Sequence, residues 1–191
     1  NTGNHTVCVY GIDIYGQIGS KCFTLKVVKE STTTTITSGL NPSVYGDSVT
    51  FTITVASAAG APTGTVSLTD GVTTLASALT LTSAGPNSST ATYTTSTLAV
   101  GTHPLNSTYT PDLAGKPFYK TSSTTAALNQ VVNLVGTTTT VTGAPNPSVS
   151  GQTVTFSIKA LAANSSALTG SVVLKDGATT LATVTLTNGA G

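Results

Sequence analysis

Two segments of the chain are near copies of each other: "NPSVYGDSVTFTIT" begins at Asn41 and "NPSVSGQTVTFSIK" at Asn146, 105 positions later. Both carry an alternation of period two. Val49, Phe51, Ile53 and Val55 fall on one side of an extended backbone, and Thr50, Thr52 and Thr54 on the other. In the second copy Val154, Phe156 and Ile158 alternate with Thr155, Ser157 and Lys159. Successive strand side chains point to opposite faces, so the pattern specifies strands half-buried against a core, which a helix of period 3.6 does not satisfy. Copies this far apart in a chain of 191 residues argue for domain-sized units in series.

Beyond these segments the match continues with one extra residue in the second copy. Thr63-Gly64 falls over Thr169-Gly170, Asp70-Gly71 over Asp176-Gly177, and Leu75 over Leu181. "TVSLTDGVTTL" and "SVVLKDGATTL" each set Asp-Gly between two extended runs, so Asp70 and Asp176 are expected in tight hairpin turns. Further runs at "ALTLTS", "TATYTTSTL", "THPLNSTYT" and "SSTTAALNQVV" bring the complete copy to about seven short strands, and no segment has a helical period. Such strands pack as two sheets face to face. The expected fold is all-β: tandem immunoglobulin-like β-sandwiches of Greek-key type, lacking the internal Cys and Trp of antibody domains.

The stretch "TTTTITSGLNPSVYGDSVTFTITV", with "PTGTVSLTDGVTTLASALTL" and "TSTLAVGTHPLNSTYTPD", resembles the bacterial Ig-like domain repeats of large secreted and cell-surface proteins. The resemblance covers residues 32–132, and 137–191 in part. It implies a spacer or stalk, as in adhesins, surface-layer components and multidomain extracellular enzymes. It brings no shared catalytic residues.

Three segments follow. Residues 1–30 read as the C-terminal hairpin of an incomplete Ig-like domain, 31–133 as a complete one, and 134–191 as the N-terminal part of a further one. Gly3 and His5 fall over Gly101 and His103, both at a shift of 98, which supports the first placement. A hairpin alone is marginal in water, so it needs a partner sandwich. Either the chain is a window on a longer array, or the hairpin completes a neighbouring copy and subunits join head to tail. An end-to-end fit of that kind lacks a counterpart of "TATYTTSTL".

Composition narrows the partners. Seven Lys, no Arg and six carboxylates leave a net charge of +1, too small a field to hold a nucleic acid. There is no apolar run near eighteen residues, so no membrane span is expected. Thr (42) and Ser (21) make up a third of the chain while charged residues are 7%, so hydroxyls take over the solvent face of the sheets. Few repelling charges on strand edges favour self-association.

Candidate chemistry is sparse. Cys8 and Cys22 stand opposite each other in a hairpin centred on Tyr15, on the face away from Val7, Val9, Phe23 and Leu25. They suit a cross-strand disulfide in an oxidising compartment, or else a pair of free thiols; zinc would lack two further ligands. His5 and His103 recur in the same Gly-x-His slot, which fits scaffold geometry better than an active site. The carboxylates Asp13, Glu30, Asp47, Asp70, Asp112 and Asp176 form no cluster, leaving only a backbone-rich calcium site near Glu30 open. No catalytic residue, metal or cofactor is expected. Asn4, Asn87, Asn106 and Asn164 head sequons and are glycosylation candidates. "PDLAGKPFYK" gathers Lys116, Phe118, Tyr119 and Lys120 into a contact loop for a glycan or surface protein, unless the aromatics pack against the sandwich end. The expected role is an extracellular or cell-surface structural one, a stalk or self-assembling filament. The alternatives are an adhesin or glycan-binding module and an accessory spacer of a secreted enzyme.

Overall fold

The structure, a computed structural model, describes residues 2–165 and 167–188. They fold as strands and turns. The chain divides into two compact units, residues 1–43 with 47–132, and residues 44–46 with 133–191.

The first unit opens with a hairpin of β1 (Gly3–Ile12) and β2 (Ile18–Val27). Its turn is closed by Asp13, whose Oδ1 accepts the amides of Tyr15 (2.9 Å) and Gln17 (2.8 Å). The sandwich follows with β3 (Thr32–Ser38), β4 (Ser43–Val44), β5 (Val49–Ser57), β6 (Gly64–Asp70), β7 (Thr73–Thr80), β8 (Thr82–Gly85), β9 (Ser88–Thr95), β10 (Gly101–Pro111), β11 (Ser122–Ser123) and β12 (Leu128–Asn133). One sheet runs β3-β5-β9-β8; the other runs β4-β12-β10-β6-β7, with β11 beside β10. This is an all-β, Ig-like sandwich. It has ten strands where the sequence suggested about seven, in part because two of the chain's five changes of sheet leave short pieces, β4 and β8, beside the longer strands. Pro42, with no N–H to offer the β3–β5 ladder, stands where the chain leaves that sheet, and β4 resumes beside β12. The second of these two falls at Leu81, between β7 and β8, whose amide donates to the Gly64 carbonyl.

The period-two pattern of the sequence is the core itself. Val49, Phe51, Ile53 and Val55 of β5 are buried, while Thr50 is exposed and Thr52 and Thr54 are half-buried. Phe51 meets Leu68, Leu105 and Val132 from the opposite sheet; Ile53 and Val55 meet Val66, Tyr109 and Tyr119. Each such side chain contributes about 1.5–3 kcal/mol of burial. Among the buried polar residues Gln130 is the largest. Gln130 Oε1 accepts from Ser38 Oγ (2.6 Å), and its Nε2 donates to the Leu40 carbonyl (2.9 Å) and Ser43 Oγ (3.1 Å), tying β12 to both ends of the sheet-changing segment.

The Asp-Gly hairpins differ from expectation by one residue. Asp70 lies opposite Thr73 and Asp176 opposite Thr179, so both carboxylates end a strand and the two-residue loops are 71–72 and 177–178. Gly71 and Gly177 take the positive φ these loops need, +52° and +55°.

In the second unit β13 (Thr137–Ala144) pairs with β14 (Thr155–Ala162), and β15 (Gly170–Asp176) with β16 (Thr179–Leu186). These pairs repeat β3–β5 and β6–β7. Ile158 is buried, but Phe156, the counterpart of Phe51, is 46% exposed. In the complete repeat β10 and β12 close over that position; among the described residues of the second unit no strand does so.

Candidate functional site

The loop singled out for contacts is built on Asp112. Its Oδ1 accepts the Gly115 amide (2.7 Å) and the Thr63 hydroxyl (2.8 Å), and these bonds hold its carboxyl below the usual carboxylate range. Gly115 sits so close to Thr63 that a Cβ there would lie 2.9 Å from its carbonyl oxygen. The turn then returns the chain beside Glu30: the Glu30 amide donates to the Phe118 carbonyl (2.7 Å) and the Lys120 amide to the Glu30 carbonyl (2.9 Å). The geometry splits the four contact candidates. Tyr119 is buried against Ile53, Val55 and Tyr109, as the packing reading had it, whereas Phe118 is 64% exposed and Lys116 and Lys120 face outward. Lys29, Lys116 and Lys120, three of the chain's seven lysines, border a cavity of ≈ 350 Å³ with Tyr119 at its wall.

Tyr109 underlies this end. Its hydroxyl donates to the Thr63 carbonyl (2.7 Å), and burial, with the nearby Asp112 charge, pushes its pKa up to about 12. At the opposite end of the same strand His103 Nδ1 lies 2.6 Å from Asp70 Oδ2, with Nε2 2.8 Å from the Ala99 carbonyl. That pair was not legible in the sequence, where Asp70 read as a turn residue. The one-residue shift of the turn puts its carboxylate on the strand end, within reach of β10. Both ring nitrogens of His103 are engaged by the scaffold, which gives this histidine a structural account.

The first hairpin carries the other candidates. Cys8 lies directly opposite Cys22 and is joined to it by a disulfide. Val7, Phe23, Leu25 and Val27 occupy the other face and are 39%, 57%, 48% and 38% exposed. Tyr10 and Tyr15 are exposed as well.

A family model described as "Bacterial Ig-like domain (group 3)" matches residues 28–133. The chain belongs to this family. The Ig-like domain so matched takes in the two-sheet sandwich and both ends described above, and it marks a structural, surface-type module. No curated protein matches the chain.

Around the Ig-like domain the remaining candidates are dispersed. Among the described residues no three His, Cys, Asp or Glu side chains come together as a metal site, near Glu30 or elsewhere, and no helix is long and apolar enough to cross a membrane. Of the sequon asparagines, Asn87 is exposed in the turn between β8 and β9, and Asn4 is exposed on β1. Asn106 is half-buried on β10, its Oδ1 accepting from Thr124. Asn164 is exposed in a turn and donates to the Tyr45 carbonyl (3.1 Å); its sequon partner Ser166 lies outside the described residues, as does Gly191.

Proposed function

We propose that this chain is a section of an extracellular structural protein, in which Ig-like repeats run in series and subunits join head to tail by strand complementation into a filament. Its work is mechanical, and it is not an enzyme. The observation that carries the reading is the exposed apolar face of the stapled hairpin, Val7, Phe23, Leu25 and Val27, a surface that in a sandwich belongs to the core. The disulfide and the bacterial Ig-like family both fit an extracellular or surface protein. Repetition suits a mechanical part, because length scales with the number of units.

Electron microscopy of the purified oxidised chain, with sedimentation over a concentration series, tests this. End-to-end fibres with one regular axial spacing are expected. Monomers at every concentration would leave a stalk without self-assembly.

A second reading, a module that binds an acidic glycan or surface protein, draws on the lysine-bordered cavity beside Phe118. Binding that is lost in a Lys116→Ala, Lys120→Ala chain would favour it over a purely mechanical role.

A further inference from the structure

We propose that the hairpin of one chain adds β1 to the open edge of β15 in a second copy, in a single register that sets Val7 opposite Asp176, Val9 opposite Leu174 and Gly11 opposite Val172. The inference rests on the strand-complementation reading above and supplies its acceptor strand and its register.

The donor is defined by a residue-by-residue correspondence. In the complete repeat β10 and β12 pair with Gly101 opposite Val132, His103 opposite Gln130 and Leu105 opposite Leu128. In the hairpin Gly3 lies opposite Val27, His5 opposite Leu25 and Val7 opposite Phe23. Glycine, histidine and an aliphatic residue stand at the same three steps, against partners in the same register. Gly3 and Gly101 even share a backbone conformation, φ +133° and +143°. Leu105, Gln130 and Val132 are covered, at 0%, 0% and 3% exposure, whereas Val7, Leu25 and Val27 are 39%, 48% and 38% exposed. The hairpin therefore presents, exposed, the inner face of a β10–β12 pair.

The acceptor is defined in the same way. β6 and β15 both begin at a glycine of positive φ, Gly64 at +135° and Gly170 at +129°, and both end in Asp-Gly. β6 is paired on both edges, by β7 and β10, whereas among the described residues β15 pairs only with β16. On β6, Leu105 lies opposite Asp70, Ser107 opposite Leu68 and Tyr109 opposite Val66. Carrying these pairs to the matching residues of β1 and β15 gives the proposed register, with Val9 and Gly11 over the half-buried Leu174 and Val172. The same transfer brings His5 to Asp176 as His103 is brought to Asp70, an ion-pairing contact at the end of the new ladder. A strand shifted by one residue would turn Val7 and Val9 to solvent, so the apolar face excludes odd shifts, and the pairing carried over from β10 and β6 with the His5–Asp176 contact fixes this register among the even ones. The disulfide lies on the hairpin's outer face, where it stiffens the donor without entering the joint.

Ile12 and Ser171 come opposite each other on the outer surface in this register. Both are exposed, so a cysteine at either is tolerated by the fold. A chain carrying Ile12→Cys is mixed with one carrying Ser171→Cys under mild oxidation, and non-reducing electrophoresis is read beside sedimentation velocity. The mixed disulfide dimer is expected, with its loss when Ser171→Cys is replaced by Thr183→Cys, which is exposed on β16 and so one strand further from the joint and away from Cys8. Oligomers in sedimentation without the Ile12–Ser171 cross-link would overturn the acceptor and register while strand complementation stood. Monomers throughout would overturn both, and would assign the hairpin to a unit of its own longer chain.

Discussion

The His103 imidazole bonds Asp70 across the edge where β10 meets β6, Nδ1 to Oδ2 at 2.6 Å, with Nε2 held at 2.8 Å by the Ala99 carbonyl. Both partners are acceptors, so the protonated ring satisfies both with N–H donors. Burial opposes the charge, but the Ala99 carbonyl together with the bond to Asp70 and its charge outweigh it, and the pKa is raised above 6.5. A raised folded-state pKa gives stability that is complete below the ordinary imidazole value and is lost as pH rises through the folded one. Urea unfolding midpoints are expected to fall from mildly acidic to mildly alkaline pH. An Asp70→Asn chain should show a flatter profile; an unchanged slope would mean that other groups set it.

Tyr109 sets a second titration at the far end of the same strand. Its phenol is held neutral by burial, with a pKa pushed to about 12 against an ordinary 10.0. The sign is again that of a raised pKa: stability is intact below the ordinary value and declines as pH climbs toward the folded one. Ultraviolet titration of phenolate should resolve one tyrosine ionising later than the rest, in step with loss of near-ultraviolet circular dichroism. Tyr109→Phe is expected to abolish the late step. It should also destabilise the fold by about 1–3 kcal/mol, because the Thr63 carbonyl loses its donor.

The disulfide closes a loop of sequence separation 14, for which chain entropy alone gives roughly 3 kcal/mol. That stabilisation is local to β1 and β2. Hydrogen exchange of the oxidised and reduced chains should therefore differ in the hairpin amides by about a hundredfold, with β5 and β9 unaffected. Equal acceleration in the sandwich would mean that the hairpin is part of its cooperative unit.

The sheets were legible in the sequence because strand periodicity is local: Val49 to Val55 alternate with threonines, and the same residues line the core. The facing of Cys8 and Cys22 was legible for the same reason, since a hairpin's register follows from its centre. What the sequence did not carry were contacts set by the join between sheets. Nothing in "AALNQVV" marks Gln130 as a core residue, yet it is fully buried, because the chain crosses sheets at Asn41–Pro42 and leaves the Leu40 carbonyl and two serine hydroxyls for it to satisfy. The Asp70–His103 pair escaped similarly: composition placed Asp-Gly at the turn, but only the two-residue loop length decides which of the two stays on the strand.

Adjacent aromatics in the end loop give the sharpest contrast. Phe118 and Tyr119 stand edge to face with ring centroids 6.5 Å apart, yet one is 64% exposed and the other 8%. The turn in which the Phe118 and Tyr119 amides both donate to the Gly115 carbonyl, and the bridge of Tyr119 to Glu30, set the two rings differently, so only Tyr119 enters the cluster with Ile53, Val55 and Tyr109. Tyr119→Ala should cost about 3–4 kcal/mol in urea unfolding through the cavity it leaves. Phe118→Ala should stay within about 0.5 kcal/mol. With stability unaffected, Phe118→Ala becomes the clean probe of contact at this end: weakened binding to an acidic glycan or a surface partner would give the exposed ring a recognition role. A loss of stability like that of Tyr119→Ala would instead show that the loop packs as one unit in solution.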